Sequence, residues 1–220
     1  MTIIAKRVVK LSCIGCIIAC VGDFAVMFFL GTYDPGYSEL KDTMSALGAS
    51  ISPVADEISR WWIIFGVLFI FFGIGFKQAF TAKGKNASVA SLLIMLYGIG
   101  EGIGSGVFKA SHNSNSLITS LLHEMLGAIG IVSLLILPVV MKRLISKIEH
   151  PYFHALSSMV FFTGILMLVL FLFRYSNDKN NFLYIYQGLW QRLLMLNNYI
   201  YLVTIAVIMY KKSMYHNENT

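Results

Sequence analysis

Asp23, Glu101, His123, Glu124, Arg192 and Asn198 each interrupt an apolar run, and Ser45 lies in a loop between two such runs. Carboxylates beside an imidazole can take up and release protons, act as general acid and base, or hold a cation. Arg192 is permanently charged and offers a planar fork of donors to an anion or a carboxylate. An ionisable side chain in hydrocarbon costs several kcal/mol, so each needs a partner or a purpose. Arg192 is therefore expected to pair with Asp23, Glu101 or Glu124. Three acids against one Arg and one His leave a surplus of acid, more than a purely structural ion pair requires.

The apolar runs place these groups. Stretches near 8–30, 61–80, 88–108, 117–141, 154–174 and 189–210 each meet the length of about 20 helical residues that a bilayer's hydrocarbon core demands. Apolar residues make up 57% of the chain and charged residues 13%, about half the charge of a soluble domain. The expected fold is all-α: one integral membrane domain over residues 1–220, a bundle of six transmembrane helices with a structured outer loop at 31–60.

The net charge of +6 is explained by where it sits. Lys6, Arg7, Lys10, Lys77, Lys83, Lys85, Lys142, Arg143, Lys147, Lys211 and Lys212 all fall on one side of this arrangement. Lys41, Arg60, Lys109, Arg174 and Lys179 fall on the other. Basic loops stay inside, so both termini are expected in the cytoplasm of a multi-pass protein of the cytoplasmic (inner) membrane. The basic patches then meet anionic lipid, and no nucleic-acid partner is expected. Ile17-Ile18-Ala19-Cys20 has the form of a lipoprotein cleavage box, but the apolar run continues from Val21 to Leu30 except at Asp23. That is too long for a signal h-region, and an anchored helix is expected.

With the ends inside, Asp23, Glu101, His123 and Glu124 all lie about 10 Å below the outer surface at 1.5 Å of rise per residue. Arg192 lies near the outer end of the sixth helix. Ser116, Ser120, His123, Gly127 and Gly130 form one stripe; Cys13, Cys16, Cys20 and Asp23 form another; Gln187, Gln191 and Asn198 form a third. Stripes of small and polar residues turn away from lipid. They predict an outward-open polar pocket lined by helices 1, 3, 4 and 6. Gly98, Gly102 and Gly106 repeat at four-residue spacing, the pattern of close helix packing. In the outer loop, Ser38 is expected to cap a helix from Glu39 to Leu47 lying on the membrane surface, ended by Gly48. A second start at Ser52-Pro53 leads into helix 2, with Trp61 and Trp62 at the interface.

Other chemistries are poorly served. His112 and His123 with nearby acids lack the helical spacing of a metal site, so no metal and no cofactor are expected. The cysteines share one helical face, where they act as small apolar residues. Ser45 has no nucleophile elbow around it.

Tyr37-Ser38, Ser45-Ala46-Leu47-Gly48, Pro53, Gly106-Val107-Phe108, His123 with Gly127, and Gly188-Leu189 with Arg192 occur in the order seen in a known group. In these the chain resembles the domain-of-unknown-function 998 family of bacterial membrane proteins over about residues 10–210. The resemblance implies a six-helix membrane protein and carries no activity. Ser45, His123 and Arg192 match the family pattern, whereas Lys109-Ala110-Ser111 stands where similar proteins often carry Pro and Asp.

Three functions fit these residues, and the catalytic residues of the second are not fixed by them. One is binding or transport of a lipid headgroup or small amphiphile, with membrane lipids as partners. Another is a membrane-embedded lipid hydrolase or transferase using His123 with Glu101 or Glu124. The third is a structural or regulatory subunit. The oligomeric state is not encoded in any recognisable feature.

Overall fold

The computed structural model describes residues 2–110 and 117–215. Six helices are long and apolar enough to cross a membrane, and we number them by span: α1 Ile3–Gly31, α2 Ala55–Ala79, α3 Thr81–Val107, α4 Leu117–Leu144, α5 Pro151–Tyr175 and α6 Gln187–Met214. The shortest has 25 residues, about 37 Å at 1.5 Å per residue, which exceeds a hydrocarbon core of about 30 Å. α1 runs unbroken through the Cys20 box.

Each helix packs on the next in sequence, and α6 closes the ring against α1. The short α2–α3 and α4–α5 connections force those pairs to be neighbours, and an even number of helices brings both ends of the chain to one end of the bundle. There Lys10 Nζ lies 6.0 Å from the Tyr210 ring, and Lys212 donates to the Ala79 carbonyl at 3.0 Å. We call this the basic end and the opposite one the loop end. The interior is filled by a ladder of Phe65, Phe69, Phe72 and Phe76, all fully buried, whose spacings of four, three and four keep them on one face of α2. α5 is peripheral: 22% of its apolar window is buried, against 44–50% in the other five.

α3 is the thin wall of the ring. Its stretch Gly98–Gly104 winds as a π-helix, and a Cβ placed on its glycines would strike backbone on two sides. At Gly102 it would meet Gly66 N at 2.7 Å and Trp62 O at 3.0 Å on α2; at Gly100 it would meet Gly130 N at 3.0 Å on α4. Alternate glycines therefore let two different helices touch α3 backbone to backbone. The four-residue stripe from Gly98 to Gly106 is the α2-facing half of this arrangement.

The loop from Thr32 to Val54 folds over the loop end and differs from expectation. In place of a helix from Glu39 to Leu47, Ser38–Asp42 forms a turn closed by Asp42 Oδ2, which accepts from Ser38 N at 2.7 Å. Thr43 is extended, so only Met44–Gly48 winds, as a 3₁₀ segment. Met44 and Leu47 are buried against the bundle rather than lying on a membrane surface. α2 begins at Ala55, two residues beyond Pro53, with Asp56 and Glu57 in its first turn where the helix dipole favours them. The tryptophans also turn inward instead of marking the interface: Trp62 is buried under Gly48, and Trp61 donates to Asp23.

Candidate functional site

Between the loop and the phenylalanine ladder lies a cavity of about 380 Å³. Asp23, Glu101 and His123 line it, as do Ser45 and Glu124, and every helix contributes to the wall. The expected lining by helices 1, 3, 4 and 6 is thus widened by Trp62 and Phe65 of α2 and by Leu168, Phe171 and Leu172 of α5. Helical rise places Glu101 and His123 about 9 Å, and Asp23 about 12 Å, from the loop end.

Asp23 is 3% exposed, and both its oxygens are occupied. Trp61 Nε1 donates to Oδ1 at 3.0 Å and Tyr199 OH to Oδ2 at 2.7 Å; Tyr97 OH in turn donates to Tyr199 at 3.2 Å. Phe65 and Phe69 pack edge-on around Tyr97, so this relay is held among aromatic rings. Asp23 thereby joins α1, α2 and α6.

Glu101 differs from Asp23 in having no such donors. It projects from the π-helical stretch, and its carboxylate lies over Gly127 of α4, where a Cβ would stand 3.0 Å from Oε2. No described residue donates a hydrogen bond to it. π-turns are frequent at functional sites because they shift one residue out of helical register.

His123 is 6% exposed, with Nδ1 2.8 Å from the Phe108 carbonyl. A carbonyl only accepts, so Nδ1 carries the proton. In the neutral ring Nε2 is then an acceptor, and no described residue donates to it. Glu124 follows by one residue, 100° around the helix, and forms an ion pair with Arg174. Tyr175 OH also donates to it at 2.8 Å. Ser45 lies in the roof beside Thr43 Oγ1, at 3.1 Å. Ser45, Glu124 and Arg174 also line an outer vestibule of about 440 Å³ with Asp34, Asp42 and Gln187, so they partition the two spaces.

Arg192 does none of this. It pairs with Glu39 and also donates to Tyr37 OH, to the Asp42 carbonyl at 3.0 Å and to the Gly188 carbonyl at 3.1 Å. Burial pushes the Tyr37 phenol up, so it stays neutral and donates a hydrogen bond to the Thr43 carbonyl at 3.3 Å. Beside this cluster Gln191 Oε1 accepts from Met44 N at 2.7 Å, and Leu189 N donates to Leu40 O at 2.9 Å. Arg192 is thus a clamp holding the roof on α6, in contrast to the expected pairing with Asp23, Glu101 or Glu124. Asn198 is buried outside the cavity lining, and its Nδ2 finds no hydrogen-bond partner among the described residues.

Sequence reasoning missed Arg174, Tyr199, Trp61 and Glu39 as parts of the site. Gln191 lay on the stripe read as turning toward the pocket, and it lines the cavity. Arg174, Trp61 and Glu39 gave no signal, because loop and interfacial positions are their ordinary places, and Tyr199 reads in the sequence as one more aromatic of an apolar helix. Among the described residues no three His, Cys, Asp or Glu converge as a metal would require, and His112 and Ser116 lie outside those residues.

A ring of six membrane-length helices around a part-polar cavity defines a polytopic helical membrane protein. The chain belongs to the DUF998 family, described as proteins of unknown function, whose sequence profile matches residues 17–208 and so reaches from α1 to α6. No curated protein and no solved structure matches it.

Proposed function

We propose that this protein binds, and moves within the outer leaflet or across it, an amphiphile whose head rests in the cavity and whose chain leaves between α4 and α5. The observation that supports this reading is the shape of the wall. Met125, Ala128 and Val132 of α4 and Leu172 of α5 line the cavity and are themselves exposed. These side chains thus bound the cavity and still keep accessible surface, on and beside the least buried helix. Asp23, Glu101 and His123 put polar acceptors in the same space, and the volume falls in the range of small-molecule sites.

Ala128 offers the test. It is exposed, so Ala128→Trp adds bulk at the opening without displacing core. Native mass spectrometry of the protein released from lipid vesicles should show a retained lipid on the parent chain and little on Ala128→Trp. Equal retention, or none on either, would count against the reading. A second reading, lipid hydrolysis, is favoured by Ser45 and His123 sharing this cavity with Nε2 free to accept a proton. It predicts that the retained lipid is a cleaved product and becomes intact on His123→Ala.

The loop end is assigned to the outer face and both termini to the cytoplasm, because the lysine-rich connections cluster at the basic end. Asn180→Cys should react with a membrane-impermeant maleimide in intact cells. The parent chain serves as blank, since Cys13, Cys16 and Cys20 are buried. Reaction only after lysis would invert the topology.

A further inference from the structure

We propose that the head of this amphiphile is a cation, a primary or substituted ammonium held by Glu101; the assignment rests on the amphiphile reading above. It follows from which lining groups still have bonds to give. Arg174 is the one Lys or Arg in the lining among the described residues, and Glu124 already neutralises it. The other strong cation nearby, Arg192, is spent on Glu39 and lies outside the lining. An anionic head would find no unpaired cation and would face two carboxylates.

What remains is a set of acceptors. Glu101 receives no hydrogen bond from a described residue. His123 is buried, with Nδ1–H committed to Phe108 O and Nε2 without a hydrogen-bond partner among the described residues. Asp23 is filled by two neutral donors that leave its charge uncompensated at contact distance. An ammonium carries up to three N–H donors and one positive charge, which complements this set in number and sign. The walls agree: Trp62, Phe65 and Tyr199 line the same space, and aromatic faces attract a desolvated cation. Gly127 leaves the Glu101 carboxylate uncovered, where any side chain would have filled the approach.

Four probes of equal chain length separate head chemistry from chain binding: dodecylamine, dodecyltrimethylammonium, dodecanol and dodecyl phosphate. Their binding is measured on the full chain in decyl maltoside against protein-free micelles. Dodecylamine should bind about 10- to 100-fold more tightly than dodecanol, the worth of one hydrogen bond to a charged group. Dodecyl phosphate should bind least. In Glu101→Gln the amine-to-alcohol ratio should fall toward one, and Glu101→Asp should restore part of it. Equal binding of amine and alcohol, or preference for the phosphate, overturns the cation assignment while leaving an amphiphile site standing. Failure of all four to bind removes both readings. Should Glu101→Gln not fold, the ranking of the probes on the parent chain decides alone.

Discussion

Gly102→Leu should leave little folded protein to purify. The glycine lies against Gly66 and Trp62 of α2, and the atoms it would strike are backbone, which cannot rotate aside as a side chain can. Even a single added carbon would sit 2.7 Å from Gly66 N, well inside van der Waals contact. A leucine would have to push α3 off α2, and α3 is already pressed on its other side against Leu126 and Gly130 of α4. Overpacking of this kind costs about 3 kcal/mol or more, a large part of a typical total stability of about 5–15 kcal/mol. Gly102→Ala should fall between Leu and the parent. Gly36→Ala, where nothing lies within 4 Å, should be silent. Monodisperse yield after size exclusion and the melting temperature in detergent give the ranking. Parent-like behaviour of Gly102→Leu would show that α2 and α3 do not meet as described.

That stripe shows what the sequence could and could not carry. Small residues at four-residue spacing mark a face on which backbones approach, so the close packing of α3 was legible. The identity of the neighbour was not, since Gly98 and Gly102 point to α2 while Gly100 points to α4. The six spans were legible for the same local reason: length and hydropathy belong to the segment itself. Depth along a helix follows from residue count, and so Asp23, Glu101 and His123 reach one cavity.

Charge partners are a different matter. Arg192 and Glu39 are 153 positions apart, and their meeting depends on how a loop folds back, which no periodicity records. Trp61 and Trp62 illustrate the same limit. Tryptophan favours the membrane interface, but here a buried carboxylate needed a donor and a loop glycine left room for a ring. Tertiary demand outweighed the general preference.

Arg192→Gln should loosen the roof of the cavity before it affects the membrane bundle. The arginine is 7% exposed and its four acceptors all belong to the loop or to the first turn of α6. Glutamine carries no charge and cannot reach all four, so Glu39 loses its counter-charge and three neutral acceptors lose a donor. Because the Glu39 side chain keeps 29% exposure, water relieves part of this. The cost should be about 2–3 kcal/mol, below the 3–5 of a fully buried broken pair. With the clamp gone, Met44 and Ser45 no longer seal the cavity, and a bound amphiphile should dissociate faster. Glu39→Gln should reproduce much of the loss, and the double variant should be less destabilised than the sum of the two by about 1 kcal/mol or more, as expected for groups in contact. Arg192→Gln combined with Glu101→Gln should instead be additive, since Glu101 shares no partner with the clamp. Thermal denaturation of the three single and two double variants reads both cycles. Additivity with Glu39 together with coupling to Glu101 would return Arg192 to the cavity and undo the division between roof and site.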